Sequence, residues 1–210
     1  MAMEGTHVRF ARDLAETLGV VDRRAYYSGA VYPDSRYLTG IPRTATHNGD
    51  SPDDPFAPGL TDFEKGWATH VQYDRESVIF KRTAFTWVTK EDPDQWVHYT
   101  SMKLVEDMRS VRELGEDVTI LREIAFVERP RGEDPTIMET YYADLREAYQ
   151  TQCGDPNDYR AFSLKNGIDE PRVNRMILLA ESYLNSDAIV ASIHSVYDHV
   201  LRAAYDRDGR

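Results

Sequence analysis

Cysteine is almost absent from this sequence, because Cys153 is the single one among 210 residues. One thiol excludes an intramolecular disulfide framework and a zinc site built from several thiolates. Long apolar runs are missing too, and no stretch approaches the roughly 18 residues that a membrane span needs. The first residues are neither basic nor followed by an apolar run, so we expect no signal peptide. Together these absences predict a cytoplasmic protein.

Basic charge is scarce as well. The chain carries 25 Lys and Arg residues against 36 Asp and Glu residues, a formal net charge of -11. Such an acidic surface does not attract a phosphate backbone or an anionic membrane, which argues against nucleic acid as a partner. A small phosphorylated substrate could still bind at a local positive centre such as a metal ion.

Apolar residues recur at three- and four-residue spacings through most of the chain, which predicts helices. The clearest start signal is the capping box Thr61-Asp62-Phe63-Glu64, which opens a third helix. Two earlier helices are predicted from caps at Thr6 and Asp22. Later ones are predicted near residues 95–114, 118–127 (where a strand stays open), 135–151, 170–184 and 187–205. The pattern predicts an all-α, single-domain bundle of about seven to eight helices over residues 1–210.

The segment between the second and third helices differs from the rest. Residues 33–60 are rich in Pro, Gly, Asp, Asn and Thr, which predicts a long loop. Long loops inside compact domains often carry function. Residues 154–167 are also predicted to form a loop.

His70 and Asp74 lie four residues apart in the predicted third helix, so they share one helical face. The apolar stripe through Phe63, Trp67 and Val71 runs beside them and directs both towards the interior. A buried carboxylate is costly unless it is paired or bound to a metal. The pair is therefore either a two-ligand arm for a divalent metal or a His–Asp hydrogen bond between packed helices.

Three further side chains of metal-binding type occur in the first 74 residues: His7, Asp34 and His47. His7 stands at the start of the first helix, in line with its apolar face, whereas the other two lie in the long loop. Taken singly, each is equally well explained as a capping, core or solvated residue. Taken with His70 and Asp74, they predict a site for one or two divalent ions, with zinc favoured over iron or manganese.

Four short motifs surround these residues: Thr6-His7-x-x-Phe10-Ala11, Gly29-Ala30-x-x-Pro33-Asp34, Arg43-x-x-Thr46-His47 and Gly66-Trp67-x-x-His70-x-x-x-Asp74. In this order they resemble the zinc-dependent phospholipase C family, which is all-helical and hydrolyses phosphodiesters at a cluster of metal ions. The resemblance covers about the first 80 residues. It implies that His7, Asp34, His47, His70 and Asp74 are metal ligands.

The same resemblance implies a metal-dependent hydrolase of a phosphoester, either a diester or a monoester. A metal-activated water would be the nucleophile, and Asp34 would bridge metals or accept the proton of that water. Arg36 and Arg43 flank the ligands, and either guanidinium could hold a phosphate. Both are equally explained as surface arginines on a loop.

This chain also departs from the family pattern. Secreted members begin with a Trp whose amino group binds metal, and they carry a further His and a His-x-x-x-Glu pair soon after the His-x-x-x-Asp helix. Here that region offers only His98, so we expect the third metal to be missing. His194 and Asp198 repeat the His-x-x-x-Asp spacing in the last helix and leave open whether they supply a second site.

Two other functions use the same residues. Histidine and carboxylate ligands also suit iron and manganese, so a non-haem redox enzyme is one alternative. A non-catalytic helical binding protein with a structural metal site is the other, because the motif set is incomplete and residues 115–210 carry no assigned role. The oligomeric state stays open, and a homo-oligomer is compatible with the aromatic-rich composition.

Overall fold

The structure is a computed structural model and describes residues 3–49, 51–150 and 153–207. The all-helical prediction is confirmed, because every regular element in those ranges is a helix. The α-helices are α1 (Glu4–Ala15), α2 (Arg23–Val31), α3 (Arg36–Thr39), α4 (Arg43–His47), α5 (Asp62–Ala84), α6 (Gln95–Leu114), α7 (Thr119–Glu123), α8 (Pro135–Ala148), α9 (Arg160–Lys165), α10 (Glu170–Leu184) and α11 (Asp187–Arg207). Short 3-10 helices span Tyr32–Ser35, Gly115–Val118 and Pro156–Tyr159.

Local signals placed several helix starts correctly. The Thr61 side chain accepts a hydrogen bond from the Glu64 N–H at 3.2 Å, and the Glu64 carboxylate accepts one from the Thr61 N–H at 2.8 Å. Asp22 caps α2 through the Ala25 N–H at 3.0 Å. Helices α6 and α10 begin and end where the sequence pattern predicted.

The predicted cap at Thr6 is wrong, because α1 already begins at Glu4. Asp107, on α6, accepts hydrogen bonds from both the N–H (2.6 Å) and the hydroxyl (3.0 Å) of Thr6. The Tyr149 hydroxyl oxygen accepts a hydrogen bond from the Gly5 N–H at 3.0 Å. The N–H groups of Gly5 and Thr6 at this helix end are therefore satisfied by distant side chains rather than by a local side-chain cap.

Other boundaries also differ from the predictions. The helix predicted for residues 118–127 covers only α7, because Arg146 donates to the Ile124 carbonyl at 2.9 Å and the chain runs extended from that point. The loop predicted for residues 154–167 contains the 3-10 helix Pro156–Tyr159 and α9. A capping box between Asp155 and Asp158 starts the 3-10 helix. The predicted end of the helix over residues 135–151, at Thr151, lies outside the described residues, and α8 ends at Ala148. Within residues 33–60, α3 and α4 replace part of the predicted loop.

Helices α2 and α5 approach each other backbone to backbone. A Cβ atom on Gly29 would lie closer than 3.0 Å to the Phe63 carbonyl, and one on Gly66 closer than 3.0 Å to the Tyr26 carbonyl. Only glycine allows helix axes to come this close. The contact carries α5 under the end of α2, so that the His70 ring reaches the Ala30 carbonyl at 2.8 Å.

We expect Gly29→Ala to destabilise the protein by about 3 kcal/mol, because the added methyl group must push two packed backbones apart. Urea unfolding would measure the change. Gly40→Ala is a suitable control, since Gly40 ends α3 with φ of 72° and a Cβ there meets nothing within 4 Å. The control should lose only about 1 kcal/mol to backbone strain. An equal loss in both variants would contradict the close-approach explanation.

Among the described residues, no single helix has the length and apolar content of a membrane span. Helices α10 and α11 reach those limits only when they are taken together, and their axes are bent by 104° at the break between them. Both helices contribute buried side chains to the core, including Met176, Ile177, Val196 and Val200.

Candidate metal centre

The structure brings the five predicted ligands together in two overlapping groups. One group contains His7, His70 and Asp74, and the other contains Asp34, His47 and His70. Within each group the ligand atoms all lie within 4.8 Å of one another. None of the five residues is more than 6% exposed.

Four separate elements supply these side chains. His70 and Asp74 project from adjacent turns of α5, and His7 comes from the first turns of α1. The rings of His7 and His70 stack, with centroids 3.6 Å apart and planes inclined by 14°. Asp34 lies in the 3-10 helix after α2, and His47 is the last residue of α4.

Backbone and hydroxyl groups orient two of the imidazoles. The His70 Nδ1 atom lies 2.8 Å from the Ala30 carbonyl oxygen. A carbonyl only accepts hydrogen bonds, so Nδ1 carries the proton and the Nε2 lone pair faces the site. The His47 Nδ1 atom lies 2.8 Å from the Thr46 hydroxyl, which turns its Nε2 atom towards the same point. Such outer partners are typical of metal-binding histidines.

Distances between the facing atoms suit coordination of one ion. The Nε2 atoms of His47 and His70 are 3.3 Å apart. His47 Nε2 lies 3.4 Å from Oδ2 of Asp74, and His7 Nε2 lies 3.7 Å from Oδ1 of the same carboxylate. Ligand atoms held at about 2.0–2.2 Å around a tetrahedral zinc ion are separated from one another by roughly 3.3–3.6 Å. The two separations that involve His47 lie in this range, and the His7–Asp74 separation of 3.7 Å lies just above it, so the donor spacing is compatible with a divalent metal.

Unsatisfied polar atoms give an independent test of that fit. Both carboxylate oxygens of Asp34 and both ring nitrogens of His7 are buried without a hydrogen-bond partner among the described residues. A buried charge without compensation costs several kcal/mol. A cation bound beside Asp34 and His7 removes that cost, so the residues present fit a metal ion.

Electrostatics prepare the same groups for metal binding. Burial lowers the pKa of His7 well below its ordinary value and lowers the pKa of His70 to about 4, so both rings are neutral near pH 7. Burial tends to raise the pKa of Asp74, but the Lys103 ammonium and a hydrogen bond to His47 hold it well below its ordinary value. Neutral imidazoles and an ionised carboxylate are the forms that bind metals.

The two predicted phosphate-binding arginines have different surroundings. Arg43 donates to Oδ2 of Asp74 at 3.2 Å and lines a cleft of about 530 Å³ together with His47 and Asp74. Arg36 instead packs its guanidinium 4.0 Å over the Tyr37 ring and donates to the Tyr37 hydroxyl. The structure therefore brings Arg43, rather than Arg36, to the mouth of the candidate metal centre.

Sequence reasoning missed two charged residues close to the site. Lys103 is a buried lysine of α6; burial lowers its pKa to about 8 even though Asp74 and Asp34 oppose that change. Glu4 is 3% exposed, and its carboxylate accepts a hydrogen bond from the Tyr141 hydroxyl at 3.1 Å. Burial is the main cause that raises the pKa of Glu4, and the charge of Asp34 raises it further. A lysine inside the apolar run Met102-Lys103-Leu104-Val105 was the available signal for the first of them.

The later histidines, whose roles the sequence left open, have other partners. His98 contacts the Tyr183 hydroxyl and lies 3.4 Å from Asp92. Asp198 pairs with Arg109 at 3.3 Å. Within the part of the chain that the structure describes, neither His98 nor the pair of His194 and Asp198 belongs to a group that could hold a metal.

Comparison with protein-family models, with curated proteins and with solved structures finds no match to this chain. The relationship to the zinc-dependent phospholipase C family therefore stays a prediction from the sequence motifs. What the structure adds is the geometry of five buried side chains that could hold a metal ion, and any functional argument depends on that geometry.

Proposed function

We propose that this protein binds one or two divalent metal ions, preferably zinc, and uses them to hydrolyse a small phosphoester. The observation that carries the proposal is Asp34. It is fully buried, neither of its carboxylate oxygens has a hydrogen-bond partner among the described residues, and it stands beside the imidazoles of His47 and His70. A buried carboxylate in that setting is explained by a cation that it binds.

The available ligand atoms limit how ions could share the site. The Nδ1 atom of His70 is engaged by the Ala30 carbonyl, so His70 offers one ligand atom and completes one of the two groups at a time. Asp74 directs one oxygen towards His7 and the other towards His47. Asp74 would therefore hold a divalent ion together with His7 and His70.

A divalent ion at these ligands would lower the pKa of a bound water towards ~7 and would offset the negative charge that develops on a phosphoryl group. The residues of the chain have separate tasks. Asp34 accepts the proton of the attacking water, because its oxygens have no competing hydrogen-bond donor among the described residues. Arg43, at the mouth of the cleft, holds the phosphate through its guanidinium.

The cleft limits the size of the substrate. Its volume of about 530 Å³ lies within the range of small-molecule sites, roughly 300–1,000 Å³. Arg75 also lines it, but its guanidinium lies within 3.5 Å of Asp53 and 3.4 Å of Glu76. Arg43 has one carboxylate partner, Asp74 at 3.2 Å, whereas Arg75 has two, so Arg43 is the better candidate to bind one phosphate group of a small substrate.

The proposal is tested by turnover of a panel of phosphomonoesters and phosphodiesters with protein purified without chelator. We expect hydrolysis of at least one class, loss of activity on chelation, and recovery when zinc is added. Arg43→Gln should raise the KM about tenfold, as expected for one lost charge-assisted contact. Arg82→Gln, an exposed arginine near the end of α5, is the matched control and should leave the KM unchanged. Metal-loaded protein that hydrolyses none of the esters, or iron with oxygen uptake on a substrate, would contradict the proposal.

A further inference from the structure

A second cleft lies at the C-terminal end of α6. Its volume is about 510 Å³, and its walls come from α6, the 3-10 helix Gly115–Val118, α7 and residues 153–154. The residues that line it are distinct from those that line the cleft at the metal centre. The two clefts are therefore separate features of the described chain.

The floor of this cleft is apolar. Met108, Val111 and Cys153 line it and are 5%, 8% and 3% exposed. Beneath them lies Asp107, whose carboxylate accepts hydrogen bonds from Thr6 and from two tyrosine hydroxyls, those of Tyr149 and Tyr159, at 2.9 Å each. Because these donors fill the hydrogen-bonding capacity of Asp107, the floor presents an apolar surface to a ligand.

Two arginines stand at the rim. Arg122 donates from Nε to the Tyr149 carbonyl at 3.0 Å, which anchors the side chain and leaves its two Nη atoms without a partner among the described residues. Arg112 is exposed and has no side-chain hydrogen bond or ion pair in the same part of the chain. Glu116 is the carboxylate on this rim, and it forms no ion pair within 4.0 Å with either arginine.

Two neighbouring arginines on α1 and α6 are ion-paired, in contrast to Arg112 and Arg122: Arg12 lies 2.7 Å from Asp13, and Arg109 lies 2.6 Å from Glu113. Two guanidinium groups that keep their charge beside one apolar cleft are complementary to an anion with an apolar body. The volume of the cleft also lies in the range of small-ligand sites.

We propose that this cleft binds a small amphipathic organic anion. Its carboxylate or phosphate head group is held by Arg112 and Arg122, and its apolar body lies on Met108, Val111 and Cys153. Carboxylate and phosphate each present two oxygens that can accept the two parallel N–H bonds of an arginine. The site needs neither the metal ions nor the reaction proposed above.

Calorimetric titration of the full chain with octanoate, octyl phosphate and octanol tests the proposal. Both anions should bind at least about tenfold more tightly than octanol, because charge-assisted hydrogen bonds are lost with the alcohol. The tighter anion identifies the preferred head group. Octanol binding as tightly as the anions, or no binding of any of the three, would overturn the proposal.

Variants then locate the site. Arg112→Gln should weaken both anions about tenfold without affecting octanol, and the exposed Arg82→Gln should change nothing. Val118→Trp, at a half-buried lining position, should fill the cleft and abolish binding of all three compounds. Circular dichroism establishes that each variant is folded. Unaltered binding in Arg112→Gln or in Val118→Trp would place the ligand elsewhere and exclude this cleft.

Discussion

Replacing His70 by alanine is expected to remove the bound metal and to reduce phosphoester turnover to background. His70 belongs to both groups of ligands, so its loss leaves each group with two side chains. Loss of an outer partner alone typically costs about 10–100-fold in metal affinity, and loss of a direct ligand should exceed that range. Metal analysis and calorimetric titration with zinc would measure the change.

The matched control is His199→Ala. His199 is an exposed histidine of α11 that stacks on Phe80, with ring centroids 4.3 Å apart, and it lies outside both groups. The control should keep the metal content and the turnover of the parent protein. If His70→Ala retained its metal, or if both variants lost it equally, the assignment of His70 as a ligand would be wrong.

Asp34→Asn is expected to abolish turnover while the fold is kept. General bases contribute typically about 10²–10⁴-fold to a rate, so a loss of that size is expected from removal of the carboxylate alone. The change also tests the unsatisfied hydrogen-bonding capacity of Asp34. Since both oxygens lack a hydrogen-bond partner among the described residues, the metal-free variant should be more stable by about 1–3 kcal/mol.

Asp107→Asn provides the opposite case. Asp107 is equally buried, but its carboxylate accepts hydrogen bonds from Thr6, Tyr149 and Tyr159. Loss of that acceptor should destabilise the chain by about 1–3 kcal/mol. Urea unfolding of chelator-treated proteins near pH 7 compares the two variants. Retained turnover in Asp34→Asn would exclude Asp34 as an essential base or ligand. If Asp34→Asn lost as much stability as Asp107→Asn, the carboxylate of Asp34 could not lack hydrogen-bond partners in the folded protein.

Much of the helical pattern was predictable because its signals are local. The capping box at Thr61 and the glycine after Leu114 lie in the sequence next to the helix ends that they define. The start of α1 was not predictable in this way, because the N–H groups of Gly5 and Thr6 bond to Tyr149 and Asp107, which lie more than 100 residues away in the sequence. Tertiary hydrogen bonds of this kind leave no periodic signal.

The candidate site was predictable only in part. The spacing of His70 and Asp74 on one helix showed that the two side chains share a face, and the motif resemblance supplied His7, Asp34 and His47. The approach of α2 to α5 through Gly29 and Gly66 could not be derived from either signal, because helix crossing depends on packing. The buried positions of Lys103 and Glu4 beside the ligands follow from the same packing.

Metal content per chain tests the central claim most directly. The protein would be purified without chelator, dialysed against a zinc-containing buffer and then against metal-free buffer, and analysed by inductively coupled plasma mass spectrometry. If His7, Asp34, His47, His70 and Asp74 form a metal centre, one or two equivalents of a divalent ion, zinc above all, should remain bound. Metal no higher than the buffer blank after this treatment would contradict the assignment of these five residues.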